Sequence, residues 1–381
     1  MPKNIVIAID IRSSRIVVLV GKLNTKNEIE VTWFSESEYS ILTDGFFTDV
    51  KSVAASLEAA LSEVRGCFNL NPVSVICNYP GIERFIKQRA GLIMDKNREI
   101  SAIDLTLLYK LKPFPGERFI YLADSSFTVD GIDKIIDPVG MIATKIEADL
   151  TMVSVKTKML QKLTNCFAAK GISIENYYPS SIADSYAVLY EEEIRDECRS
   201  FVVINTGSVL TRISIVQNGR IDNSSHLRMG GNTITQAICD FTGLDFQQAE
   251  TLKISRGSVK PDKITGSGII PLNYANGYKG IPLREVQLAE IIRKSVERLI
   301  DLAWKEAEAL LAWNRLTDSI ILTGSGITKF KGIEELVKRI TRQKCRVGIP
   351  GIGLSNSSIA FLRLNSPEYT SSLGLLRIKL Q

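Results

Sequence analysis

The stretch Phe201–Gly219, FVVINTGSVLTRISIVQNG, reads as strand, turn and strand. The apolar run Phe201–Ile204 leads into Asn205-Thr206-Gly207-Ser208. The alternating Leu210, Arg212, Ile213 and Ile215 follow, and then the turn Asn218-Gly219. The same order opens the chain: IVIAID at Ile5–Asp10, a polar bend at Arg12-Ser13-Ser14, then RIVVLVG at Arg15–Gly21. Two copies about half a chain apart point to two related lobes whose bends face a shared cleft. Backbone N–H groups at such bends can cradle phosphate oxygens. Ordinary hairpins give the same pattern, so the residues alone leave both readings open.

The 381 residues exceed one ordinary core and predict two domains of typical size. Lys plus Arg number 47 and Asp plus Glu 42, a net charge of only +5, and the basic residues are scattered. That distribution argues against a nucleic-acid arm and for a solvated surface. Cys67, Cys77, Cys166, Cys198, Cys239 and Cys345 show no CxxC spacing and read as reduced thiols. The single histidine, His226, excludes a multi-histidine metal site and reads as structural. No stretch approaches the ~20 apolar residues of a membrane-spanning helix, and the N-terminus runs straight into a strand without the features of a cleaved leader.

Along the chain, strands alternate with helices. Val53, Leu57, Ala60, Leu61 and Val64 have helical spacing within Asp49–Arg65, and Val286–Leu311 is the longest amphipathic helix. Residues Phe85–Met152 change character and predict a small α+β insert of strands around one helix, Ala102–Leu111. SIILTGSG at Ser319–Gly326 is a strand ending in a third Gly-bearing turn. The alternation is an α/β signature, with sheets covered by helices and turns at strand ends where ligands sit.

These residues resemble the actin-like ATPase superfamily, and within it the FtsA family of bacterial cell-division proteins. The two hairpins are similar to that family's two phosphate loops, and Thr323–Gly326, TGSG, to its adenosine loop. Those three alone fit DnaK-type ATPases and actins as well. DGIDKIIDPVGM at Asp130–Met141, followed by Ile146-Glu147-Ala148, resembles the segment closing the insert peculiar to FtsA. GGNTITQAI at Gly230–Ile238, AETLKISRG at Ala249–Gly257, LAEII at Leu288–Ile292 and SSLGLL at Ser371–Leu376 follow in family order. The resemblance implies a two-lobed actin-like fold with duplicated sheet-and-helix domains. The first unit is 1–84 completed by 155–198, with the insert at 85–154. The second is 199–240 completed by 312–381, with a smaller unit at 241–311. It further implies ATP or ADP in the cleft, head-to-tail filaments, other division proteins on the insert, and the C-terminal tail of the tubulin-like protein FtsZ docked on 241–311. The location implied is the bacterial cytoplasm, at the inner membrane face of the division site.

Matched residue by residue, the resemblance assigns the phosphate end of a nucleotide to Asp10, Arg12, Ser13, Ser14, Arg15, Asn205, Gly207, Ser208 and Arg212. It assigns the adenosine side to Gly231, Glu250, Lys253, Gly324, Ser325 and Gly326. The sequence also departs from the family. Arg12 stands where the first loop has glycine, and a side chain there obstructs close approach of phosphate. The second loop's two acidic positions hold Asn205 and Arg212. Asp10 is the only matched carboxylate left for Mg²⁺, an ion held by hard oxygen ligands. The expectation is a nucleotide-binding pseudo-ATPase with no confident catalytic residue, in which Arg12, Arg15 and Arg212 neutralise phosphate directly. An active ATPase, or a PilM-like pilus-assembly module that captures a peptide, are the alternatives. The family usually ends in a linker and an amphipathic membrane helix. Here a short helix or turn is expected around Tyr369–Leu376, and Gly374–Gln381 is expected to complete a terminal strand or turn, so either the chain is shortened or membrane attachment goes through a partner.

Overall fold

The computed structural model describes residues 5–38, 50–67, 74–135, 137–190, 193, 199–217, 219–264, 268–272, 282–311, 317–350 and 353–380. Asp49, Cys198, Asn218 and Gln381, named above, lie outside the described residues.

Both opening hairpins form, and each seeds a five-stranded sheet. In the first, β1 (Val6–Ile11) pairs antiparallel with β2 (Arg15–Leu23), and β2 with β3 (Ile29–Glu38). On its other side β1 runs parallel to β4 (Ser74–Tyr79), and β4 to β9 (Asn176–Pro179). The second sheet repeats that plan. Strand β10 (Ser200–Thr206) pairs antiparallel with β11 (Thr211–Gln217) and β11 with β12 (Arg220–Leu227). Strand β10 then runs parallel to β15 (Ser319–Thr323), which runs parallel to β16 (Cys345–Val347). The strand orders, β3-β2-β1-β4-β9 and β12-β11-β10-β15-β16, are the same topology twice. Every residue of β1 and of β10 is buried. Strands covered on both faces need no polar alternation, which is why these two appear as continuous apolar runs.

Helix α1 (Val50–Cys67) and helix α3 (Thr157–Ala168) cover one face of the first sheet through Val53, Leu57, Leu61, Leu163 and Phe167. Between β4 and α3 lies a separate antiparallel sheet of order β5-β8-β6-β7: β5 (Arg84–Glu99), β6 (Glu117–Val129), β7 (Ile132–Ile135) and β8 (Ile142–Lys156). One helix, α2 (Ala102–Leu108), packs on it, and Ile100, Leu108, Phe127, Val129, Ile146 and Leu150 form its own apolar cluster. In the second half, α5 (Gly231–Thr242), α6 (Phe246–Arg256) and α7 (Glu285–Leu310) share one cluster with the second sheet. Asp245 starts α6 by accepting from the Gln248 amide at 2.8 Å, an N-cap contact. Helix α7 buries Leu288, Ile292, Val296, Leu299 and Ala303 at helical spacing. A two-stranded ribbon, β13 (Ile269–Ile270) with β14 (Leu283–Arg284), closes this region, and α8 (Ile333–Thr341) follows β15.

The short helix or turn expected around Tyr369–Leu376 is a helix, α9 (Thr370–Leu380), and it corrects the strand or turn expected over Gly374–Gln381. It packs against α4 (Ser180–Val188), and a Cβ on Gly374 would stand 1.9 Å from the Ala183 carbonyl oxygen. Only a glycine allows this approach. Arg377 caps the end of α4, donating to the Tyr186 and Leu189 carbonyls at 2.7 and 3.1 Å. Almost every residue of α4 and most of α9 are buried, so neither helix shows an amphipathic period.

Candidate functional site

The ends of β1, β10 and β15 carry three turns that line one cavity of about 330 Å³. That is within the range of small-ligand sites, ~300–1,000 Å³. All the residues assigned above line it except Gly231, which lies behind the wall, where its carbonyl accepts from Lys253 Nζ at 3.1 Å.

At the first turn the Arg12 amide donates to the Arg15 carbonyl at 3.0 Å, leaving Ser13 and Ser14 at the bend. Asp10 is 1% exposed and fully engaged. One carboxylate oxygen accepts from Arg12 Nε at 2.8 Å and Ser372 Oγ at 2.7 Å; the other accepts from Asn78 Nδ2 at 3.0 Å. Arg12 Nη2 donates to the same Ser372 hydroxyl at 2.7 Å. Arg15 is likewise paired, with Glu368 at 3.1 Å and Glu36 at 3.5 Å, and its guanidinium lies 5.3 Å from the Tyr369 ring centre.

The second turn is tied down by its neighbours. Gly207 N–H donates to Leu210 O at 2.8 Å. The first amides of α5, those of Gly231 and Asn232, donate to the Gly207 and Ser208 carbonyls at 2.9 and 2.8 Å. The Gly326 amide donates to Thr206 O at 2.8 Å, locking the third turn onto the second. Gly324 has φ of +85°, and a Cβ there would lie 2.4 Å from Asn205 Oδ1, so close apposition of these turns requires glycine. Arg212 pairs with Asp184 of α4 at 3.2 Å, and Ser371 Oγ donates to the same carboxylate at 2.5 Å. The Asn205 side chain is a further donor to Asp184. Burial pushes the Asp184 carboxyl above its ordinary range, while Arg212, Ser371 and Asn205 pull it back.

At the adenosine side Glu250 and Lys253 pair at 2.7 Å. Lys253 is 6% exposed and also donates to Thr235 Oγ1 at 2.8 Å. Burial lowers its pKa, and Glu250 opposes that shift. Ile254, Ile327 and Phe330 give this end an apolar wall. Partners that sequence reasoning missed are Asn78, Asp184, Glu368, Tyr369, Ser371 and Ser372. Two signals were available: the motif SSLGLL, which contains two of them, and the lone acid in the small-residue run Ser180–Ser185.

The glycine-lined turns, apolar end and cationic walls fit a nucleotide. The residues do not fit a divalent ion. Both oxygens of Asp10 are occupied by protein donors, one of them a guanidinium. Among the described residues no group of three or more His, Cys, Asp or Glu side chains is arranged to hold a metal.

The family model "Cell division protein FtsA" matches residues 202–374, and the model "SHS2 domain inserted in FTSA" matches residues 90–154. The cell division protein FtsA of Borreliella burgdorferi is 24% identical over 390 residues, covering 100% of this chain and 92% of that protein. FtsA of Pseudomonas aeruginosa is 22% identical over 381 residues, covering 99% of this chain and 89% of that protein. Among solved structures, a PilM–PilN type IV pilus biogenesis complex superposes with a TM-score of 0.69 at 14% identity over 100% of both chains. MreB5 of Spiroplasma citri bound to ADP gives 0.57 at 12% identity, over 98% of this chain and 95% of that one. At these identities the solved structures speak for the fold alone, which is actin-like with two sheet-and-helix lobes. The two family models together span more than half of the 381 residues, and the chain belongs to the FtsA family of cell-division proteins.

Proposed function

We propose that the chain is a division scaffold that binds ATP or ADP in the cleft, hydrolyses it slowly or not at all, and self-assembles. The observation that carries the reading is the state of Asp10. The one carboxylate matched to a metal-handling role is held by Arg12, Ser372 and Asn78 inside a cavity otherwise shaped for a nucleotide. Phosphoryl transfer needs charge neutralisation on the transferred group and a positioned water. Three of the four acids lining the cavity, Asp10, Glu250 and Glu368, each face a cation of the protein itself. In the steady state, phosphate release from ATP with Mg²⁺ should match that of Asp10→Ala. Turnover well above that variant would replace this reading with an active ATPase.

On the same reading, units 1–84 with 155–198 and 199–240 with 312–381 form the two lobes. The FtsZ tail docks on 241–311, and other division proteins use 85–154. The chain acts at the inner face of the membrane through those partners. Among the described residues Lys294 and Arg298 on the exposed side of α7 form no ion pair, whereas Arg293 pairs with Glu297 and Asp262. An acidic tail suits that surface. Pull-down with an FtsZ tail peptide should succeed where a pilus-protein N-terminal peptide fails; the reverse result favours a PilM-like module.

A further inference from the structure

The phosphate end of the cleft already contains a cation, and it is covalently part of the chain. Arg12 sits in the first turn with its side chain 17% exposed, lining the cavity. Its Nε holds Asp10 at 2.8 Å, its Nη2 holds Ser372 at 2.7 Å, and its guanidinium lies 5.4 Å from the Tyr369 ring centre. Ser372 closes the triangle by donating to the same Asp10 oxygen. The first turn is thereby clamped to α9, and the guanidinium is fixed in place rather than carried on a free stem. For a divalent ion to use the Asp10 oxygen that Arg12 and Ser372 hold, even through water, the carboxylate must shed one of them. Asp10 is 1% exposed, and an unpaired charge there is costly.

Taking the cleft as a nucleotide site, on which this inference rests, we propose that Arg12 serves in place of the divalent ion. The preferred ligand is then a metal-free nucleoside di- or triphosphate. Guanidinium keeps its charge at every physiological pH and matches phosphate oxygens as a planar fork, with no need for the water-rich octahedron that Mg²⁺ demands.

The test is a fluorescence titration of the full chain with N-methylanthraniloyl-ADP and N-methylanthraniloyl-ATP, in EDTA and in millimolar Mg²⁺. The wild type is expected to bind as tightly in EDTA as in Mg²⁺, or more tightly. Arg12→Gly, which uncovers Asp10, should invert this, binding at least tenfold more tightly with Mg²⁺ than without. Should that variant not fold, Arg12→Gln keeps most of the side-chain volume and is expected to lose at least tenfold affinity in EDTA. Wild-type affinity that falls tenfold on removing Mg²⁺ overturns the inference while leaving the nucleotide site intact. Metal-independent binding that neither variant changes overturns the role of Arg12. No binding in either condition overturns the nucleotide reading and this inference together.

Discussion

Replacing Arg212 with alanine should expose how the cleft stores its charge. Asp184 is 1% exposed on α4, and Arg212 reaches it from β11 at 3.2 Å. Removing one partner of a fully buried ion pair costs about 3–5 kcal/mol, because the remaining charge is stranded. Two observations reduce that figure. The Arg212 side chain is 21% exposed, so water already screens part of the attraction, and Ser371 and Asn205 still donate to the carboxylate after the change. We expect Arg212→Ala to cost about 2–3 kcal/mol, and Arg212→Ala with Asp184→Asn about 1 kcal/mol, since the double variant removes the stranded charge as well. Urea denaturation of wild type, both single variants and the double variant at pH 7.5 gives the coupling directly. The pH dependence supplies a second readout. Burial already places the folded-state pKa of Asp184 above its unfolded value, and losing Arg212 raises it further. The penalty of Arg212→Ala should therefore be full at neutral and alkaline pH and shrink as pH falls through that raised pKa. Equal losses for the single and double variants would refute the stranded-charge account.

Gly324→Ala places a methyl 2.4 Å from both Asn205 Oδ1 and Thr206 O at a φ of +85°. It should lower stability by about 1–3 kcal/mol and nucleotide affinity at least tenfold; a wild-type titration curve would show that the turns do not contact the ligand. Glu83 accepts from the Ser180 amide at 2.5 Å and from Ser181 at the start of α4, and burial pushes its carboxyl up to about 7. The folded protein therefore holds this proton more tightly than the unfolded chain. The stability it contributes is present below the ordinary glutamate range and is lost as pH rises to about 7. Because the side chain keeps some contact with water, Glu83→Gln should gain on the wild type by no more than about 2 kcal/mol between pH 5 and pH 8. A constant difference across that range, measured by urea denaturation, would exclude Glu83 as the titrating group.

What the sequence disclosed, and what it hid, follows from the range of the interactions. Strands β1 and β10 were legible because they are covered on both faces and so are apolar throughout. The bends after them were legible because only small or polar residues turn a chain that tightly. Helix α9 was not. Buried almost all round, with Gly374 against Ala183 and Arg377 spent on two carbonyls, it lacks the one-sided periodicity that marks a surface helix. The insert was recognised as strands around one helix, but α2 stops at Leu108 rather than Leu111. In the site, glycines and cations were visible, while their counter-charges were not. Arg12 meets Ser372 across 360 positions, and Arg212 meets Asp184 from the preceding segment of the chain. No spacing rule connects such pairs; only the packing of α4 and α9 between the two sheets does.

The replacements that look like losses in the sequence act together in the structure. At one position that the sequence resemblance matches to an acid stands Asn205, which donates to Asp184; an aspartate there would have set a second carboxylate against a buried one. At the other stands Arg212, which neutralises the same Asp184. Arg12, in place of a glycine, neutralises Asp10. Each change supplies a donor or a cation to an acid that a ligand and its metal would otherwise have to satisfy. The acids are thereby turned from groups awaiting a ligand into groups that fasten the first turn to α9 and β11 to α4. A cleft whose charges are balanced internally is stable when empty, so ligand occupancy adds to its stability only through the ligand's own differential binding, RT ln(1 + [L]/Kd). On the proposed function, control of assembly by such a cleft comes from which lobe arrangement the nucleotide prefers, not from completing a half-built metal site.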